Sequence, residues 1–167
     1  MAVRKLSKNC PYLLTTTIME FKTQVLIDAP KEKVWSIISD IEGSKENITA
    51  IQKIEVHERP RQGLVGFRWT ETRTMFGKAA TETMWVTDAV ENEYYQTRAE
   101  SHGAIYISKL MLGEKDNGTE LTMSFKGTPQ TVIAKIMSAL LSPMFKKATQ
   151  KALDQDLKDI KVAAEQQ

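Results

Sequence analysis

Three charged residues, Glu71, Arg73 and Glu82, offer the most promising chemistry in this sequence. If Phe76-Gly77 forms a two-residue turn, Met75 pairs with Lys78, Arg73 meets Ala80 and Glu71 meets Glu82. Cross-strand partners share a face, so two carboxylates and one guanidinium point the same way. Like charges in such a pair repel, and partial burial raises the pKa of at least one carboxyl. A carboxyl of that kind holds a proton at neutral pH and can lend it in general acid–base catalysis. Arg73 either neutralises the cluster or grips an anionic group of a ligand. The plainer alternative is a hairpin that overhangs its support and leaves all three residues solvated at a rim.

Other chemistries lack their parts. His57 ends a strand beside Glu58 and His102 falls in a hairpin turn, positions that face solvent more often than a site, so no nucleophilic triad assembles. Gly63 and Gly66 flank a strand entry rather than open a helix, which rules out a phosphate cradle. The single cysteine, Cys10, excludes an internal disulfide and a cysteine-based metal framework. We therefore expect no metal, no cofactor and a reducing, cytoplasmic setting. Its 23 basic and 21 acidic residues leave a net charge of +2, and the positive charges are scattered. That balance argues against nucleic acid as a partner. An uninterrupted apolar run of about 20 residues, as a membrane span requires, is missing too.

The elements that must position the charged trio follow from periodicity. Glu20 to Asp28 alternates as a strand. Pro30 then opens a short helix through Val34, Ile37, Ile38 and Ile41, Gly43 ends it, and Ser44 caps a second over Lys45 to Thr49. Strands follow over Ile51–His57, Val65–Met75, Lys78–Ala89, Glu93–Ser101, Ala104–Gly113 and Thr119–Gly127, divided by turns of which Asn117-Gly118 is the clearest. Tight turns between consecutive strands impose antiparallel pairing. From Pro129 onward Ile133, Ile136, Met137, Leu140, Met144, Ala148, Leu153, Leu157 and Ile160 form an apolar stripe on a long helix, with a bend expected at Pro143. Regular patterning opens at Met19, so residues 1–18 read as an N-terminal extension and 19–167 as a single domain.

This order of elements resembles the helix-grip fold, an α+β architecture in which a curved, seven-stranded antiparallel sheet wraps a long C-terminal helix. The segments APKEKVW (Ala29–Trp35), SD (Ser39-Asp40), LVGFRW (Leu64–Trp69), GK (Gly77-Lys78), NGTELTM (Asn117–Met123) and DLKDIK (Asp156–Lys161) are similar to landmarks of the START-related, polyketide cyclase/dehydratase-like superfamily. The likeness spans about Phe21 to Glu165. It implies an internal cavity and no particular reaction, because the superfamily includes lipid carriers, steroid binders, cyclases, hydroxylase domains and cochaperones. Two departures are visible. Asn47-Ile48 stands where an aromatic residue is common, and the extra Cys and His motifs of the iron–sulfur hydroxylase branch are missing.

Turn-by-turn register sorts the sheet into a mostly apolar face and a polar one, and a slip of one residue would invert a strand. Trp69, Met84, Tyr95, Thr97, Tyr106, Ser108, Leu110 and Met123 fall on the apolar face, and Met137, Leu140 and Met144 oppose them from the helix. Small residues at the sheet centre leave either room for large helix side chains or a ligand pocket. The methionines suit a tolerant apolar surface, though ordinary cores use them as well. Two functions of different class remain. One is binding or carriage of an apolar small molecule such as a lipid, isoprenoid or aromatic, polyketide-like metabolite. The other is a cyclase- or dehydratase-like reaction with Glu71 or Glu82 as general acid or base; the lack of His, Cys and Asp on the concave sheet face favours the binder. A third, weaker reading is a protein-interaction module whose outer row, Trp85, Ile105 and Ile107, is a homodimer contact or else a stack stabilising the sheet.

Overall fold

Alternating side chains in the middle of the chain give a sheet one buried and one solvated face, and the computed structural model shows that sheet in full. The structure describes residues 18–75, 77–131, 133–134 and 143–166, with the side chains of 143–145 left out. Seven strands, β1 (Met19–Ile27), β2 (Ile51–Glu58), β3 (Arg68–Met75), β4 (Lys78–Val90), β5 (Tyr94–Ser101), β6 (Ala104–Lys115) and β7 (Gly118–Pro129), pair antiparallel in the order β1-β7-β6-β5-β4-β3-β2. Two short helices, α1 (Lys31–Ser39) and α2 (Ser44–Asn47), join the two edge strands β1 and β2. The last helix, α3 (Pro143–Gln166), lies chiefly against β1 and α1.

The β3–β4 register is as expected, with Glu71 opposite Glu82 and Trp69 opposite Met84. The β5–β6 pairing also matches, across a His102-Gly103 turn in which both residues have positive φ. Two turns differ. Between β4 and β5 the loop has three residues, Glu91 to Glu93, and an extra residue at Thr87 bulges the strand. The longer loop and the bulge cancel, so Val86 still meets Thr97. Between β6 and β7 the turn is Asp116-Asn117, which moves every partner by two and sets Leu110 against Met123. Because the side-chain period is two, that shift leaves both faces intact.

Gly118 is required where β7 begins, since a Cβ there would sit 2.3 Å from the Ile27 carbonyl oxygen. Beside it, the fully buried Thr119 donates its hydroxyl to the Ala29 carbonyl at 2.7 Å, fixing the chain between β1 and α1. The core under the sheet is built from Ile27, Val34, Leu121, Leu157, Ile160 and Ala164, and a second cluster gathers Ile41, Phe67, Trp69 and Val86. Polar clasps hold α3 in place. Asp159 accepts from the Thr49 amide and hydroxyl at 2.8 and 2.7 Å, and Glu165 accepts from the Asp28 amide at 2.8 Å. Burial alone would raise the Asp159 carboxyl, but its hydrogen bonds from Thr49 and Gln155 outweigh that and lower it. Ile133 departs from the expected stripe, being 75% exposed. The expected bend at Pro143 falls where residues 135–142 adjoin α3, outside the described residues, as do Met137, Leu140 and the Met144 side chain.

Candidate functional site

The sheet curls over α3, and α1 and α2 close one side, leaving a cavity of about 120 Å³. Its sheet wall is Trp69, Glu71, Arg73, Met84, Tyr95, Thr97, Ser108, Leu110 and Met123. The opposite wall comes from Ile37, Ile38 and Ile41 around α1, from Ser44, Asn47, Ile48 and Ile51 around α2, and from Asp156 and Ile160 on α3. Seven of the sheet residues expected at a binding surface, Trp69, Met84, Tyr95, Thr97, Ser108, Leu110 and Met123, border this space. Tyr106 does not border it. Its ring stacks on Phe125 with centroids 5.8 Å apart. The α1–α2 wall was not visible from sequence, and Asn47-Ile48, the departure from the superfamily pattern, forms part of it.

A charged cluster occupies one corner. Arg73 Nη2 donates to both Asp156 oxygens, at 2.7 and 2.6 Å, and Arg73 Nε lies 3.4 Å from Glu71 Oε1. The carboxylate that approaches Arg73 opposite Glu71 is thus Asp156 from the helix, not Glu82. Glu82 is half-buried, away from the cavity, and accepts from the Ser101 hydroxyl at 3.1 Å. Asp156 does carry a sequence signal. It interrupts the stripe of Leu153, Leu157 and Ile160 on the buried side of α3.

Burial dominates the electrostatics of this corner. It raises the Glu71 carboxyl, opposed by the Arg73 charge and reinforced by Asp156. It also raises Asp156, against the charge and hydrogen bond of Arg73. Burial likewise pushes the Tyr95 phenol far above its ordinary range, with the Glu71 charge adding to the effect. The indole N–H of Trp69 favours the charged form of Glu71. It nevertheless falls short of a hydrogen bond and has no partner among the described residues. Chemically, burial favours the protonated form of each carboxyl, and the charge of Arg73 opposes it.

Sheet, gripping helix and the cavity between them together define the helix-grip fold. More closely, the model of the polyketide cyclase/dehydrase and lipid transport family matches residues 19–165, and the chain belongs to that family. Among solved structures it is similar to the Zhui aromatase/cyclase from Streptomyces sp. R1128, with a TM-score of 0.74, 16% identity, and coverage of 90% of this chain and 95% of that one. A START superfamily protein from Mycobacterium smegmatis gives 0.72 and 17%, covering 88% and 97%. Major latex-like protein 151 from Panax ginseng gives 0.72 and 12%, with the same coverage. At these identities the likeness shows the fold alone. No curated protein matches the sequence, and among the described residues no helix is long and apolar enough to cross a membrane.

Proposed function

We propose that residues 19–167 act as one ligand-binding domain, in the cytoplasm, that holds or carries an apolar small molecule such as a lipid, isoprenoid or aromatic, polyketide-like metabolite. The observation that carries this reading is the cavity, a mostly aliphatic and aromatic space with a few polar side chains, among them the charged cluster, the usual make-up of small-molecule sites. The family's description, which names lipid transport beside cyclase and dehydrase activity, supports it. At about 120 Å³ the space is below the roughly 300–1,000 Å³ of a drug-sized pocket. The enclosed part of the ligand is therefore about one ring or a short chain. Native mass spectrometry of the protein purified from its own host tests the proposal. A retained small molecule released on unfolding supports it, and an empty protein that also fails to take up an apolar fluorescent probe refutes it.

A second reading, a cyclase- or dehydratase-like reaction, is favoured by one observation, the buried Glu71 beside Arg73 in the same cavity. There Glu71 would serve as general acid, and Glu71→Gln would leave binding in place while turnover of a carbonyl substrate falls by about 10²-fold or more. The interaction-module reading draws least support. Trp85 is half-buried under the Arg68 guanidinium, 5.7 Å from its ring centre, so the outer row is already engaged within the sheet.

A further inference from the structure

The charged corner carries information about which ligands the cavity admits, an inference that rests on the cavity being the binding site. Among the described residues that line it, Arg73 is the one cation, and it faces two carboxylates, Glu71 and Asp156. Its Nη2 is spent on both oxygens of Asp156 and its Nε faces Glu71. These side chains are shielded from water, with exposures of 22% for Arg73, 10% for Glu71 and 5% for Asp156. An incoming anion would meet a guanidinium already neutralised and a carboxylate in excess, in a medium that screens little. It would have to shed its own hydration without gaining a partner, which buried charges do not tolerate. A neutral ligand pays no such penalty.

We infer that the cavity selects neutral, oxygen-bearing apolar molecules, of the aryl ketone or alcohol type, and rejects carboxylates such as free fatty acids or aromatic acids, because the two carboxylates of Asp156 and Glu71 already offset the charge of Arg73. Three further groups suit a neutral oxygen. The Thr97 hydroxyl, on a residue 6% exposed, and the Ser108 hydroxyl both border the cavity. The buried Trp69 N–H, which acts on Glu71 without meeting the geometry of a hydrogen bond, adds a donor at the corner.

The test compares two ring-sized probes, acetophenone and benzoate, by chemical-shift titration of the full chain at pH 7.5. Acetophenone should bind at least about tenfold more tightly than benzoate. Asp156→Asn should free Arg73 and improve benzoate binding by about tenfold or more, with acetophenone little changed. Equal affinities in the wild-type protein, or a preference for benzoate, overturn the selectivity and leave the cavity assignment standing. Binding of neither probe overturns the cavity assignment and the selectivity with it. If Asp156→Asn does not fold, the wild-type ratio already decides; a folded variant with no gain for benzoate overturns the role given to Asp156.

Discussion

Replacing Arg73 by Met probes the charged corner most directly, because methionine keeps the apolar stem and removes only the guanidinium. Two unit charges about 4 Å apart attract by about 4 kcal/mol at an effective dielectric constant of about 20. Removing one partner of a buried pair generally costs about 3–5 kcal/mol, since the remaining charge is stranded. Arg73 bonds Asp156 at 2.6–2.7 Å and lies 3.4 Å from Glu71, so the upper part of that range is expected at pH 7.5. The loss should depend on pH. Without Arg73, burial and mutual repulsion act unopposed on Glu71 and Asp156 and raise both carboxyls further. At pH 5 the variant takes up protons there and sheds the stranded charge, so the loss relative to wild type should shrink to about half or less. Urea unfolding at several pH values measures this. A loss below about 1 kcal/mol, the worth of an exposed pair, would refute the reasoning, and so would a larger loss that does not vary with pH.

Glu71→Gln isolates the other end of the cluster. A carboxyl raised above its ordinary 4.5 by burial contributes stability that is fully present below that value and lost as pH rises through the folded value. The variant should therefore lose less stability than wild type between pH 4.5 and 7.5 in thermal melts, and identical slopes would contradict the burial of this carboxyl. Ser108→Phe, at the cavity wall, should weaken binding of an apolar fluorescent probe while the circular dichroism spectrum is retained; unchanged binding in the folded variant would remove Ser108 from the site. Gly118→Ala places a methyl group 2.3 Å from the Ile27 carbonyl oxygen and should cost about 1–3 kcal/mol, the usual price of overpacking. Leu157→Ala, in a residue 1% exposed, should cost about 2–5 kcal/mol, and a far smaller loss in denaturant titration would mean that α3 does not seal the core there.

The sheet was legible in the sequence because its signal has period two and each face has one solvent. Even the errors kept parity. The bulge at Thr87 compensated the longer β4–β5 loop, and the misplaced β6–β7 turn shifted partners by two. The helical contribution was harder to read. A helix presents several residues per turn, and which of them meets the sheet is set by how the whole helix docks. Thus Ile133, in line with an apolar stripe, is exposed. Ile37, Ile38 and Ile41, which in sequence show only the apolar spacing of a short helix, wall the cavity. The cross-strand pairing of Glu71 with Glu82 follows from the turns, whereas the Asp156 contact spans 83 residues from Arg73 and follows from no turn.

Asp156 itself gives the clearest argument for function over stability. Leu153, Leu157 and Ile160 surround it on the buried side of α3, so an apolar residue at 156 would agree with every local preference and extend the core. Buried charge clusters add little net stability, because the desolvation of each member offsets the attraction between them. Local rules of patterning are broken in folded proteins mainly where a site requires it. Here the break occurs at a position that borders the cavity and ties the helix to the sheet through Arg73. One acidic side chain thus joins the helix to the sheet at the cavity wall, and on the proposed ligand-binding reading its placement against the apolar pattern sets the charge that a ligand would meet.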